Sequence, residues 1–132
     1  KVLVWEQEGD SWWVSAQGQV LGPAGAVSDA PRLVNSGQRL EPQDGYLVGV
    51  PWAFAYQASV ALAGAYELEY LAVYGLLVRM GATGMPIYLG DSGDAVAKLE
   101  LAADVVAEAE KRALDIRYID LRSASRPVVG GQ

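Results

Sequence analysis

The chain has 132 residues, of which 52% are hydrophobic, and this is enough for one domain with a sizeable buried core. It contains neither cysteine nor histidine, which excludes disulfide bonds and nearly excludes zinc chemistry. Ten basic residues are scattered among sixteen acidic ones, and the net charge of -6 argues against nucleic acid or anionic lipid as partners. We therefore expect a single domain over residues 1–132, with no cofactor.

The first half of the chain is predicted to contain a small β-meander, a long connection and a helix. Aromatic and β-branched runs bounded by turn residues predict a small meander with strands at 2–5, 12–14 and 20–21. Residues 22–45 are rich in Gly, Pro, Ser and Asn, so they are predicted to be a long surface connection despite the apolar pair Leu33-Val34. Pro51 suits the first turn of a helix that runs to about Ala65. The residues at helical spacing that predict its buried face are Trp52, Tyr56, Val60 and Ala63.

The second half is predicted to alternate strands with one long helix. Strands at 67–73, 75–80 and 85–89, the last two joined by a turn at 81–84, are expected to form an antiparallel sheet. A helix is predicted from about Asp94 to Leu114, with acidic residues at its start and basic residues at its end, as the helix dipole favours. Its apolar stripe consists of Val96, Leu99, Ala102, Ala103, Val106 and Ala109. Residues 116–121 are predicted to form the last long strand.

These elements predict an α+β fold, with a mostly antiparallel sheet, two helices packed on it and a C-terminal edge strand. One stretch resembles a membrane span in length, because no charge occurs between Asp44 and Glu67. It also contains several Gly residues, a Pro, a Gln and a Ser, which favour a strand end, a turn and a buried helix instead.

Carboxylates suggest two candidate sites, each with a simpler interpretation. The first is a row at helical spacing, Glu100, Asp104 and Glu108; a cation needs converging oxygens, so a solvated face is favoured, with Glu108 paired to Arg112. The second is the strand pair Glu67 and Glu69, whose side chains share one face. Such a pair fits glycosidase chemistry, but it also fits any strand with a solvated face.

Two further patterns leave alternatives open. The four tryptophans at 5, 12, 13 and 52 fit either a ligand platform or the core and sheet faces, and the core is favoured. Residues 90–94 (Gly-Asp-Ser-Gly-Asp) look like a calcium loop but lack its alternating acidic positions, which favours a helix-capping turn.

No Gly-x-Ser-x-Gly motif occurs, so nucleophilic catalysis is disfavoured. The enzymatic or sugar-binding alternative is an envelope domain that uses the Trp and Glu clusters.

The last third of the chain carries motifs in a characteristic order. They are Leu89-Gly90, then Lys98-Leu99, then residues 118–122 (Tyr-Ile-Asp-Leu-Arg), then Pro127-Val128-Val129. In this order and spacing the chain resembles the C-terminal β domain of the bacterial cell-division family FtsQ/DivIB. Near the N-terminus, residues 2–5 and 14–18 fit the family's first strand and hairpin, although Ser15 stands where the family usually has Asp.

The resemblance implies a non-catalytic scaffold of the divisome that recruits and restrains the septal peptidoglycan machinery. It implies a membrane span and a POTRA domain before Lys1, with this domain on the extracytoplasmic side of the cell membrane at the division septum. The partners that it implies are an FtsB/DivIC-like protein together with an FtsL-like protein. In family members this docking uses the last strand and the residues just after the Asp-Leu-Arg motif.

The residues after Leu121 agree with an exposed edge, because they are small, polar or, like Pro127, unable to donate to a ladder. An open edge is a template for strand addition by a partner. The partner-binding residues that we expect are Tyr118, Arg122, Ser123, Ala124, Ser125, Arg126 and Val128.

In strand geometry Tyr118, Asp120 and Arg122 share one face, while Ile119 and Leu121 are expected in the core. Arg122 can meet a partner carboxylate, and it can equally form an ion pair with Asp120 inside the sheet. Many family members have Tyr after this Arg; Ser123 takes that place here, so the anchor is expected to shift to Arg126 or Val128.

Overall fold

The computed structural model describes residues 1–25, 30–123 and 127–131. The elements of these residues, in chain order, are β1 (Val2–Gln7), β2 (Asp10–Ser15), β3 (Val20–Pro23), β4 (Arg32–Asn35), α1 (Trp52–Leu62), β5 (Leu68–Leu71), β6 (Gly75–Met80), β7 (Met85–Gly90), α2 (Ala95–Lys111), β8 (Ile116–Asp120) and β9 (Val128–Gly131).

The strands form one sheet in the order β3-β2-β1-β4-β5-β6-β7-β8-β9. Neighbours are parallel at β1–β4, β4–β5 and β7–β8, and antiparallel at the other pairings. Both helices pack over one face, where the inward side chains of the strands form the core with them. The predicted α+β class and the mostly antiparallel sheet are confirmed.

The prediction for residues 22–45 is wrong, because this stretch contains a central strand. β4 lies between β1 and β5, in parallel register with both, and Leu33 is completely buried. Four residues with one inward leucine are too short to show an alternating pattern, so backbone pairing with two distant strands defines β4. The buried side chain of Gln7 stabilises the segment after β4. It donates to the Leu40 carbonyl and accepts a hydrogen bond from the side-chain amide of Asn35.

The bounds of both helices agree with prediction to within three residues, but their buried faces differ in part. In α1 only Trp52 of the expected stripe is buried; Val60 is 51% exposed, and the buried face consists of Phe54, Ala55, Ala58, Ser59 and Leu62. Nearly every residue of α1 is apolar, so several stripes are possible, and contact with α2 and the sheet selects one. In α2 Leu99, Ala102, Val106 and Ala109 are buried as expected, whereas Val96 and Ala103 are exposed.

The ends of α2 confirm the interpretation of residues 90–94 as a capping turn. The Asp94 carboxylate accepts a hydrogen bond from the Ala97 amide over 3.0 Å, which satisfies one of the free donors of the first turn. Lys111 lies in the last turn, and Arg112 donates to Glu108 over 2.7 Å, as the spacing predicts.

The C-terminal edge strand is confirmed, and it is β9 rather than β8. β9 pairs antiparallel with β8, so β8 is an inner strand and β9 is the outermost strand at that end of the sheet. Ile119 and Leu121 are fully buried in the core, as predicted.

Candidate functional site

The candidate site is the end of the sheet formed by β8 and β9. The register places Tyr118 opposite Gly130 and Asp120 opposite Val128. On β9, Val128 is 49% exposed and Val129 is 46% exposed. An outermost strand exposes unpaired backbone N–H and C=O groups, to which a partner strand can bind. The exposed valines add apolar surface beside these groups.

A row of tyrosines crosses the face of the sheet opposite the helices. Because Ile119 is in the core, strand alternation places Tyr118 on the opposite face. Its ring centroid lies 6.3 Å from that of Tyr88, which lies 4.7 Å from that of Tyr74. These three rings, which we call the tyrosine row, run from β8 across β7 to the turn before β6.

The Tyr118 ring packs over the backbone of Gly130. A Cβ atom added at this glycine would overlap the Tyr118 ring, so the ring covers the β9 backbone at the only kind of residue that leaves room for it. Tyr118 nevertheless remains 38% exposed. The site therefore presents an aromatic surface directly beside the outer edge of β9, with which no other described strand pairs.

Arg122 lies at the other end of the row, paired with Asp120. Its Nη2 atom is 2.7 Å from Asp120 Oδ2, and its Nε atom is 3.0 Å from Oδ1. The guanidinium also lies 5.4 Å from the Tyr74 ring centroid, a cation–π distance. The hydrogen bond from Arg122 holds the pKa of Asp120 below its ordinary value. The ion pair suggested as one alternative is therefore present, while the Arg122 side chain remains 46% exposed and accessible to a partner.

The backbone around Arg122 is tightly packed against the end of β7. The Leu121 amide donates to the Tyr88 carbonyl over 2.8 Å, and a Cβ at Gly90 would lie 3.2 Å from Arg122 Cα. Beside this contact lies a polar cavity of about 200 Å³, lined in part by Tyr70, Asp91 and Arg122. Burial raises the pKa of the Tyr70 hydroxyl, and Asp91 adds to the rise.

The structure brings together part of the expected set of partner-binding residues. Tyr118 and Arg122 lie on the same exposed surface, Val128 lies on the edge strand, and Ser123 is exposed just after Arg122. Ala124, Ser125 and Arg126 lie outside the described residues. Sequence reasoning missed Tyr74, Tyr88 and Gly130, because their contacts depend on strand order and no local pattern marks them.

The clusters that suggested sugar binding are mostly structural. Trp5 and Trp52 are buried edge to face, with ring centroids 5.5 Å apart. Glu69 accepts a hydrogen bond from Ser36 over 2.7 Å and one from Arg79 over 3.1 Å, while Glu67 is exposed before β5 begins. Within residues 1–25, 30–123 and 127–131, no group of three His, Cys, Asp or Glu side chains could hold a metal ion.

The described helices differ from membrane spans in length and polarity. Among the described residues, no helix is both long and apolar enough to cross a bilayer. The uncharged stretch that contains α1 forms an eleven-residue helix that packs in the core.

Comparison with known proteins agrees with this architecture. The family model for the C-terminal region of the cell division protein FtsQ/DivIB matches residues 3–122, which is most of the chain. A comparison with curated proteins gave no significant match. The family is a non-catalytic, membrane-anchored component of the divisome with a scaffold role in cell division. The match runs from β1 through the Asp-Leu-Arg motif, and the chain therefore belongs to the FtsQ/DivIB cell-division family.

Proposed function

We propose that this chain docks an FtsB/DivIC-like protein, together with an FtsL-like protein, by strand addition to β9. The observation that carries the proposal is the combination of an open edge strand with the tyrosine row and a half-exposed arginine on one surface. In this role the chain is a scaffold that supports septal peptidoglycan synthesis and catalyses no reaction itself.

Each part of the surface has a separate task in this proposal. The main chain of β9 supplies hydrogen bonds to an added strand, and these give affinity with little dependence on sequence. Every second side chain of the added strand faces away from the helices, and these side chains contact Tyr118. Tyrosine is a residue type common at binding hot spots. Arg122 offers its outward N–H groups to a partner carboxylate while Asp120 holds the guanidinium in place.

The proposed location follows from the family. We propose that the whole protein is held in the cell membrane by a single span, with this domain on the extracytoplasmic side at the septum. The acidic chain, with a net charge of -6, agrees with a domain that contacts proteins rather than anionic headgroups.

The direct test is a titration of this chain with the purified ectodomain of an FtsB/DivIC-like protein encoded by the same genome. A version that ends after Arg122 lacks β9 and is expected to lose binding. Circular dichroism of the shortened chain shows whether its fold persists. Binding that survives the loss of β9 in a folded chain would contradict strand addition at this edge.

A charge reversal tests Arg122, and an arginine on the preceding strand, β8, provides a matched control. Arg122→Glu is expected to weaken binding by about tenfold, because it replaces an attraction to a partner carboxylate by repulsion. Arg117→Glu makes the same change at an exposed arginine of β8 that neighbours Asp115 at 3.7 Å and lies outside the tyrosine row. Equal effects of the two substitutions would assign the loss to net charge rather than to the proposed contact.

The carbohydrate-binding alternative has one observation in its favour. Half-buried Trp12 lines a shallow cleft together with Glu6 and Asp10. Both carboxylates are already paired, Glu6 with Arg32 and Asp10 with Arg39, and this weakens the case for a sugar site. Quenching of tryptophan fluorescence by peptidoglycan glycan fragments would support this alternative, whereas the docking scaffold is expected to show none.

A further inference from the structure

One buried charge lies near the proposed docking site. Lys98 lies in the first turns of α2 and is only 3% exposed. Its ammonium group donates to the Leu89 carbonyl over 2.7 Å and to the Ser92 carbonyl over 2.8 Å. It also lies 5.3 Å from the ring centroid of Phe54 in α1. This one side chain therefore joins both helices to the end of β7.

The surroundings of Lys98 are costly for a charge, which indicates a specific task. Burial lowers the pKa of Lys98, and the carboxylates of Asp91 and Asp120 partly offset the effect. Hydrogen bonds to carbonyls alone offset only part of the free-energy cost of desolvating an ammonium ion. The ammonium group does, however, give the Leu89 and Ser92 carbonyls a strong donor, which no neutral apolar side chain could supply.

The segment that Lys98 contacts, residues 89–93, also packs against Arg122. The backbone of Gly90, which directly follows Leu89, approaches Arg122 so closely that a Cβ would lie 3.2 Å from its Cα. At the other end of the segment, a Cβ at Gly93 would lie 3.1 Å from Lys98 Cε, so the chain wraps closely around the lysine. The charge of Lys98 also contributes to keeping Asp120, the partner of Arg122, ionised.

We propose that Lys98 is a positioning residue for the docking site. Its buried ammonium group holds residues 89–93 in the conformation that packs against Arg122. Its charge stabilises the Asp120 carboxylate, which orients the Arg122 guanidinium. The assignment to docking rests on the proposed function, whereas the link from Lys98 to Arg122 is a property of the free chain.

Chemical replacement can separate the charge from the shape of this side chain. The chain contains no cysteine, so Lys98→Cys introduces a single thiol that can be alkylated in denaturant before refolding. Bromoethylamine yields an S-aminoethyl side chain with an ammonium group, and bromopropane yields an S-propyl side chain of the same length without one. Lys111→Cys, at an exposed position of α2, receives the same two adducts as a control.

The readouts on the free chain are the NMR resonances of Gly90 and Arg122 and the pKa of the Asp120 carboxyl group. We expect the aminoethyl adduct at position 98 to restore the values of the unmodified chain. We expect the propyl adduct to shift these resonances and to raise the pKa of Asp120. The two adducts at position 111 should give identical values. Native resonances and an unchanged Asp120 pKa in the propyl adduct at position 98 would overturn the proposal.

The same adducts are then titrated with the FtsB/DivIC-like ectodomain. The propyl adduct is expected to bind about tenfold more weakly than the aminoethyl adduct, within the usual range for residues coupled through one network. Equal affinities of the two adducts would remove Lys98 from the docking site. No binding by the unmodified chain would refute the proposed function, and the measurements on the free chain would still decide the link from Lys98 to Arg122.

A second variant covers the case in which the propyl adduct does not refold. Gly93→Ala keeps the lysine but adds a methyl group against Lys98 Cε. Gly84→Ala is its control, because Gly84 also has a positive φ but has no atom within 4 Å of the added methyl. We expect the Arg122 resonances to shift only in Gly93→Ala, and unchanged Arg122 resonances in this variant would overturn the proposal.

Discussion

The close approach of two strands at Gly75 leads to a quantitative prediction. Gly75 opens β6 with a φ of +81°, in the region that favours glycine. A Cβ at this position would lie 2.5 Å from the carbonyl oxygen of Gly90 and 2.6 Å from its carbonyl carbon. Both are backbone atoms of β7, so rotation of a side chain cannot relieve the overlap. Gly75→Ala is therefore expected to displace the strand end that carries Gly90.

The size of the effect follows from two contributions. A left-handed conformation costs a residue with a Cβ about 1–2 kcal/mol. Crowding a packed site adds about 1–3 kcal/mol. The free energy of unfolding should fall by about 2–5 kcal/mol, a large part of the stability of a typical domain. With about 4 °C per kcal/mol, the melting temperature should drop by about 8–20 °C.

Gly84→Ala isolates the conformational contribution. Gly84 has a φ of +67° and nothing within 4 Å of an added Cβ, so only the backbone strain applies. Its melting temperature should fall by about 4–8 °C. Thermal and urea denaturation followed by circular dichroism measure both variants. Equal losses in the two variants would refute the crowding of Gly90 by an added methyl group.

Three further predictions concern the β8–β9 end of the sheet and its centre. The pKa of Asp120 lies below its ordinary 3.8, so its ion pair contributes stability that is complete above about pH 4 and disappears as the pH falls through the folded-state pKa. Urea denaturation at several pH values should show that Asp120→Asn abolishes this acid-side loss, and an unchanged pH dependence would contradict it. Gly130→Ala should push the Tyr118 ring off β9, which ring-proton shifts of Tyr118 in NMR spectra would reveal. Leu33→Ala should lower the free energy of unfolding by about 2–5 kcal/mol because β4 is central, whereas the half-exposed Leu21 should tolerate the same change within about 0.5 kcal/mol.

Local patterns were sufficient for the elements whose stabilising contacts are close in sequence. The bounds of α2 could be predicted because Asp94 caps its start, basic residues close its end and its apolar spacing is regular. The hairpin of β6 and β7 could be predicted because a short turn rich in glycine joins two apolar runs. The Asp-Leu-Arg motif led to the prediction that Arg122 binds a partner, and the structure places this side chain on an exposed surface.

Features that depend on contacts between distant segments could not be predicted in the same way. β4 joins the sheet through parallel pairing with β1 and β5, and its own four residues contain too little pattern to indicate this. The face that α1 buries was also ambiguous, since an almost wholly apolar helix offers several possible stripes. The burial of Lys98 was equally unexpected, because a lysine near a helix start is usually solvated.

The sequence by itself determined the fold class, the helix bounds, the strand edge after the Asp-Leu-Arg motif and the family. Each of these rests on composition, on short-range spacing or on motif order. Only the tertiary structure decided the strand order, the tyrosine row, the fit of Tyr118 over Gly130 and the contact of Lys98 with residues 89–93. The physical reason is that the packing of distant segments against one another defines these features, and local propensity carries no information about which segments meet.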